Sequence, residues 1–501
     1  MSKFNQSTKG ATKTVNHEGA PAYKLNAEME LYATAVTTML SNKFYESSTD
    51  TLKRIQKLVK EVKPEFVAKL AVYAREKMYL RSLPLVLVTE LAKIHNGDDL
   101  VSRVTKRVVA RADEITELLA YYAQANGSKN VKKLGKLSKQ VQKGLSDAFN
   151  KFDEYAFAKY NRDGAVKLRD ALFLVHPKAK DEAQQALFDK IATDTLETPD
   201  TWEVELSAST DKKGSWERLI KENKLGYMAL LRNLRNIIDA RVDDESVALV
   251  CAKLADPEEV AKSKQFPFRF FSAYREIGEN NSINASLILA ALEDALQASA
   301  NNIAGFDENT SLLISADVSG SMQSPVSPKS KVNMYDIGIV LSMLLQNRSK
   351  RAITSIFGTT FAVKQFPKTN ILANVSRLQG LASEVGMSTN GFLIIKHLIE
   401  TKTIVDKVMV FTDCQLYDSR GAYSYFGEQS GDMKALWKEY KKIAPNAKMY
   451  LFDLNGYGTT PLSTASNDVF LIAGWSDKVF DMLAAYEQGS SAVEEINKIT
   501  I

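Results

Sequence analysis

Three short polar stretches in the last two hundred residues carry the side chains best suited to chemistry: Asp317-Val318-Ser319-Gly320-Ser321, Ser388-Thr389-Asn390, and the single carboxylate Asp413. In the first of these a carboxylate and two hydroxyls fall on alternate residues of a tight loop, so all three can turn toward one point. Such a point suits a hard cation. Mg²⁺ takes oxygen ligands in near-octahedral geometry and keeps several of its waters, so it needs few direct protein ligands. Asp317, Ser319, Ser321, Thr389 and Asp413 together form an all-oxygen set with only two formal negative charges. A divalent cation held this way, most simply Mg²⁺, stays electrophilic and can accept a carboxylate from a partner at an open coordination position.

Other chemistries are poorly served. The four histidines are His17, His95, His176 and His397, and none falls in these loops. Ser319 and Ser321 therefore read as ligands rather than as nucleophiles of a serine–histidine pair. The chain has neither a GxxxxGK[ST] phosphate loop nor an HExxH helix. An Asp317-based phosphotransferase is the sharpest enzymatic alternative, but serine stands two residues after Asp317 where a second acid would be needed. The expectation is binding without catalysis.

The elements that must position these residues are legible from periodicity. SLLISADVS (311–319), AITSIFG (352–358), KVMVFTD (407–413), KMYLFDLNG (448–456) and DVFLIAGW (468–475) read as strands. Between them MYDIGIVLSMLLQNR, FLIIKHLIETK and DMKALWKEYKKIA read as helices. This alternation predicts a doubly wound α/β domain, whose ligand sites lie beyond the carboxyl ends of the strands. Asp317 and Asp413 close two such strands. DVSGSM after an apolar strand, the Thr389-Asn390 loop and the VFTD strand end resemble the metal-ion-dependent adhesion site of a von Willebrand factor A domain.

The first three hundred residues differ. After a polar arm over 1–25, the stretch 26–300 is a succession of amphipathic helices such as Leu52–Val62, Pro64–Met78 and Leu83–His95. Breaks fall at Lys63-Pro64, Asn96-Gly97, Asn126-Gly127 and Gly278. This predicts an all-α array of HEAT-like helical repeats, followed by the α/β domain over 301–501. Charge divides the same way. The net +5 comes from 65 basic and 60 acidic residues, yet residues 301–501 balance at 19 of each, leaving the excess to the helical part. Lys129–Lys180 carries 13 basic residues against 5 acidic, with Lys132, Lys133, Lys136 and Lys139 spaced to share a helix face. Two distant cysteines, Cys251 and Cys414, exclude a disulfide framework, and the polar start and lack of a long apolar run predict a cytoplasmic chain with no membrane span.

Domain order and four segments carry a second resemblance: VNHEGAPAY (15–23), AKYNRDGAVKLRDALFLVHPK (158–178), MALLRNLRNI (228–237) and FPFRFFSAYREI (266–277). These resemble the Ro autoantigen (TROVE domain) family, in which a ring of helical repeats is closed by an A-type domain. The resemblance implies a ribonucleoprotein component that takes single-stranded 3′ ends of misfolded RNA into the ring's hole and binds small noncoding Y RNAs on its outer surface. Lys159, Arg162 and His176 match positions that contact Y RNA, joining the lysine run as candidate RNA-binding residues. His176, before Pro177, reads equally as a helix cap or core residue. Arg232, Asn233 and Arg235 are weaker candidates for the hole, and Phe266, Phe268, Phe270 and Phe271 read as core.

Two departures stand out. Leu168 occupies a position where the family often has histidine, and Met387-Ser388 precede Thr389 in place of a glycine pair. A recruited exoribonuclease, a monomeric state and a carboxylate-bearing protein ligand complete the expectations. The competing reading is a metal-dependent protein-interaction scaffold that binds no RNA.

Overall fold

The computed structural model describes residues 12–128, 137–161, 164–280, 282–300, 307–328, 330–419 and 432–501. By packing, the chain forms two compact units, one of Leu52–Ser209 with Val493–Ile501 and one of Met1–Thr51 with Thr210–Ala492.

The first of these units is helical. Pro64–Glu76 packs on Ser82–Ile94, which packs in turn on Asp113–Ala125, and Leu100–Val108 packs on Lys139–Phe149. Local sequence sets the boundaries. Pro64 starts its helix at a position where a missing N–H costs nothing, and Gly97 and Gly127 take positive φ after the helices that precede them. Asp153, Asp181 and Thr201 cap helices by accepting from the backbone N–H three residues on. One helix crossing depends on glycine. A Cβ at Gly144 would lie 2.5 Å from Thr105 Cβ and 2.6 Å from the Ser102 carbonyl oxygen, so Lys139–Phe149 can approach Leu100–Val108 this closely only without a side chain there.

The other unit holds both helices and sheets. Tyr227–Asp239 packs on Pro267–Gly278, which packs on Ile283–Ala300, and these last two also contact Met334–Arg348 of the α/β region. Of the four phenylalanines read as core, Phe268, Phe270 and Phe271 are buried to 2 % exposure or less, whereas Phe266, before the helix begins, is half-buried. The change from uninterrupted helices to alternating elements thus lies inside one packed unit.

Nine strands are described. β1 (Lys13–Val15), β2 (Pro21–Lys24) and β8 (Thr459–Thr460) form a small antiparallel sheet. β3 (Ser311–Asp317), β4 (Arg351–Phe357), β5 (Phe361–Lys364), β6 (Lys407–Thr412), β7 (Lys448–Asp453) and β9 (Val469–Ala473) form the main sheet in the order β5-β4-β3-β6-β7-β9. All its pairings are parallel except the edge strand β5. β3 and β6 are buried along their whole length, which explains their unbroken apolar runs. The fold class is the expected one, all-α repeats with a doubly wound α/β domain. The antiparallel β5 and the β1–β2 hairpin go beyond what the pattern predicts: β5 is a four-residue edge, and β1 lies in a polar segment.

Strand order reverses at β3, which has β4 on one side and β6 on the other. The crevice of a doubly wound sheet opens at such a reversal, beyond the carboxyl ends. Asp317 ends β3, Asp413 follows β6, and the two strands are in register with Ala316 opposite Phe411.

Candidate functional site

The five candidate metal ligands come from three loops at this reversal and are all buried, at 3 % exposure or less. Asp317 Oδ1 accepts the Ser319 N–H at 3.0 Å, which bends the loop back toward the strand end, and Ser319 Oγ lies 3.4 Å from Ser321 Oγ. The Thr389 hydroxyl donates to the Gln415 carbonyl at 3.0 Å, and Gln415 N–H donates to Asp413 Oδ1 at 3.0 Å.

Glycine lets these loops meet. Gly320 N–H donates to the Met387 carbonyl at 2.9 Å, and a Cβ at Gly358 would fall 2.0 Å from the Gly386 carbonyl oxygen. Gly386 itself has φ +72°. Gly358 and Gly386 thus supply the close approach although Met387-Ser388 replace the expected glycine pair.

Burial raises the proton affinity of both carboxylates, and for Asp413 the neighbouring Asp317 charge raises it further. The Asp413 Oδ2 atom is buried and has no hydrogen-bond partner. An orphaned, acceptor-only oxygen beside a second buried carboxylate is costly unless a cation is there. No group of three or more His, Cys, Asp or Glu side chains arranged for a metal occurs among the described residues. The donor set has two carboxylates and three hydroxyls, a composition that fits a hard cation such as Mg²⁺ and not zinc.

Several residues around the loops escape a reading by motif. Thr412 Oγ1 donates to Asp317 Oδ2 at 2.6 Å and so fixes the carboxylate from behind. The turn joining β1 to β2 also reaches the site: Asn16 Nδ2 donates to the Leu416 carbonyl at 2.8 Å and His17 N–H donates to Gln415 Oε1 at 2.9 Å. The NHEG string marks a turn in the sequence. Nothing local says which surface the turn meets.

The candidate RNA residues belong to the helical unit. Lys132, Lys133, Lys136 and Arg162 lie outside the described residues. Lys139 is exposed at the start of Lys139–Phe149, and this helix packs on Leu168–Val175, where Gln142 Nε2 donates to the Val175 carbonyl at 3.1 Å. His176 follows directly. It is exposed, its backbone is left-handed at φ 49°, and its N–H donates to the Leu172 carbonyl at 2.9 Å, so it is a helix cap and not a core residue.

Lys159 is half-buried, with its ammonium 5.4 Å from the Tyr155 ring centroid and 5.9 Å from that of Tyr160. Arg111 stands 4.3 Å from the Tyr160 ring. Phe173 is 50 % exposed and lies 5.7 Å from the Arg169 guanidinium. The basic surface therefore also presents aromatic faces, which sequence reasoning passes over because isolated tyrosines and phenylalanines usually pack inside. Leu168 is buried and contributes to the core, so no polar group stands there.

A cavity of about 490 Å³ lies between Tyr227–Asp239 and Pro267–Gly278, lined by Arg232, Arg235 and Arg269 with Asn236, Gln265 and Glu276. Arg235 is ion-paired to Glu276. Arg232 and Arg269 have no carboxylate partner among the described residues, and crowding together with the Arg232 charge lowers the proton affinity of Arg269. Arg269 is exposed by area although neighbouring atoms flank its head group; a concave wall has this character. Asn233 takes no part, being buried with its Nδ2 donating to the Ala229 carbonyl at 2.8 Å.

An array of packed helices with basic and aromatic side chains stands in one chain with a doubly wound sheet whose reversal point gathers buried oxygens. The TROVE domain model matches residues 25–197 and 193–287, more than half of the chain, and the protein belongs to the TROVE domain family. That family comprises RNA-binding ribonucleoprotein components and not enzymes. Telomerase protein component 1 of Mus musculus is 24% identical over 294 residues, 43% of this chain, and that of Rattus norvegicus is 25% identical over 291 residues, 42% of this chain. The chain spans 11% of the length of each of these relatives. Among solved structures, the Ro (RSR) protein of Deinococcus radiodurans aligns with a TM-score of 0.61 at 18% identity, over 93% of this chain and 100% of that one. It shares the fold. No helix among the described residues is long and apolar enough to cross a membrane.

Proposed function

We propose that the protein binds RNA through residues 26–300 and carries one divalent cation in 301–501. The observation that carries the RNA reading is Lys159 set against the faces of Tyr155 and Tyr160, in the same helical unit as the exposed Lys139, His176 and Phe173. Lysines there neutralise phosphates while rings stack on unpaired bases. Lys132, Lys133, Lys136 and Arg162, outside the described residues, are further RNA-binding residues in the proposal, and a small structured, Y-like RNA is the ligand. Arg232 and Arg269, uncompensated in their cavity, suit the phosphates of a single-stranded 3′ end of misfolded RNA. In this proposal degradation or trimming falls to a recruited exoribonuclease in the cytoplasm.

The test is fluorescence anisotropy on nucleic-acid-free protein, using a short hairpin RNA with a single-stranded 3′ tail over a range of salt. Affinity should fall as salt rises, and Lys159→Ala with Arg162→Ala should lower both the affinity and the steepness of that dependence. Salt-independent or absent binding overturns the reading.

The cation has a distinct role. Asp317, Ser319, Ser321, Thr389 and Asp413 would hold it, and when bound it supplies a Lewis-acidic point for a carboxylate or phosphate oxygen. The orphaned Asp413 Oδ2 supports this part of the proposal and also favours a second reading, in which the domain recruits a carboxylate-bearing protein partner.

A further inference from the structure

The β1–β2 turn is held beside the metal loops on a firm footing. Asn16 is buried, binds the Leu416 carbonyl with its amide, and with its Oδ1 accepts the N–H groups of Glu18 at 3.0 Å and Ala20 at 2.9 Å. β2 continues the attachment by pairing with β8, Tyr23 opposite Thr460 and Lys24 opposite Thr459. Gln415, two residues after Asp413, receives the His17 N–H on its side chain.

From this base three rings assemble. His17 stacks on Tyr45 with centroids 5.0 Å apart and planes within 5°, and Tyr457 stands edge-on to both, at 5.2 Å from His17 and 5.5 Å from Tyr45. The Tyr45 hydroxyl donates to Glu18 Oε1. Burial and the Glu18 contact raise the proton affinity of this hydroxyl, and the charge of Asp413 raises it further. A continuous line of contacts therefore runs from Gln415, two residues after the candidate ligand Asp413, through His17 and Tyr45 to the carboxylate of Glu18.

We infer that the β1–β2 turn and Tyr45 form an intramolecular cover over the metal loops, with Glu18 as the latch, so that an external anionic ligand reaches the cation only after Glu18 leaves Tyr45. The inference rests on the metal-site reading above. Two features make the cover selective. Tyr45 is stacked on His17, which is tied to Gln415 two residues after Asp413, and an exposed Glu18 carboxylate repels the anions that the cation would attract. The latch is also releasable, because Glu18 is at the surface and is held by one hydroxyl, whereas Asn16 and the β2–β8 pairing stay in place when it opens.

The experiment uses the full chain, Mn²⁺ as the metal probe and acetate as the external carboxylate. Water-proton relaxation reports the exchangeable waters on bound Mn²⁺, and acetate is titrated against the loaded protein. Tyr45→Phe keeps the ring stack and the Glu18 charge while removing the latch contact; Glu18→Gln removes the charge. Both variants should bind acetate at least about fivefold more tightly, the lower range of a typical coupling between sites, with higher relaxation enhancement and an unchanged melting temperature. Unchanged acetate affinity in both variants, with Mn²⁺ bound normally, overturns the cover and leaves the metal reading intact. An effect in Glu18→Gln alone reduces the feature to charge and also overturns it. Absence of Mn²⁺ binding from the wild type and both variants removes the metal reading and the cover together.

Discussion

The two candidate sites sit at opposite extremes of solvation. The five candidate metal ligands are buried to 3 % exposure or less and depend on neighbours for every hydrogen bond. Lys139, His176 and the Phe173 ring stand in solvent on short helices and their ends. A buried polar site must be right to within a fraction of an ångström because unmet oxygens are costly. An exposed basic surface works through summed charge and tolerates the loss of a single contact. Perturbation should therefore produce all-or-none effects at the first site and graded ones at the second.

The contrast is tested most severely at the metal loops. Asp317→Ala and Asp413→Ala should each weaken Mn²⁺ binding, followed by calorimetric titration, by more than the roughly 100-fold that loss of a residue merely supporting a ligand can cost. RNA affinity of the helical surface should stay within about twofold in the same variants. A large loss of RNA affinity would show that the two sites are coupled.

Next in size is the glycine crossing that positions the Lys139 helix. Gly144→Ala places a methyl 2.5 Å from Thr105 Cβ and should destabilise by about 1–3 kcal/mol through overpacking, read as a lower denaturation midpoint. Mn²⁺ affinity should not change. Wild-type stability in this variant would mean that the helices part without cost.

Smaller effects belong to the basic surface. Lys159→Ala with Arg162→Ala should weaken RNA binding by roughly tenfold and reduce the slope of log affinity against log salt by about one to two. Phe173→Ala should weaken binding of a single-stranded tail and leave that slope alone, because stacking releases no counterions. A slope that changes with Phe173 and not with Lys159 would invert the roles of charge and stacking on this surface.

The smallest expected effect is a pH trend. Burial raises the folded-state pKa of Asp317 and Asp413 above the ordinary value near ~3.9, so the metal-free folded chain binds more protons than the unfolded chain. Its stability from these groups is highest below that value and declines as pH climbs through the raised folded values. A cation requires the ionised forms and relieves the penalty. The rise in melting temperature caused by Mg²⁺ should accordingly be larger at pH 8 than at pH 5. A rise that is equal or smaller at pH 8 means that protein groups already compensate the charge.

Much of this architecture can be read locally. The helix MYDIGIVLSMLLQNR runs over Met334–Arg348 as its pattern predicts, and the central strands announce themselves as apolar runs ending in polar residues. Asp317, Ser319 and Ser321 are legible because alternate residues of one loop must be neighbours. Thr389 and Asp413 are legible because the order of strands and helices places them at strand ends. By contrast, β5 is invisible, since a short edge strand needs only one partner and little apolar pattern. Tyr155, Tyr160 and Phe173 escape notice because composition does not say which rings remain in water.

What the sequence determined by itself was the periodicity of its elements, the uneven division of charge and the alternation of Asp317, Ser319 and Ser321 in one loop, since these depend on residues close together in the chain. Tertiary structure alone decided that Asn16, His17 and Glu18 stand beside Gln415 and Leu416, about 400 positions away. It also decided that Gly358 and Gly386 bring two loops into contact, that Asp413 Oδ2 is left without a partner, and that Arg235 is neutralised while Arg232 is not. The physical reason is the same in each case. Burial and pairing depend on which distant surfaces meet, and a turn such as Asn-His-Glu-Gly has the same local energetics whether it faces water or a metal loop.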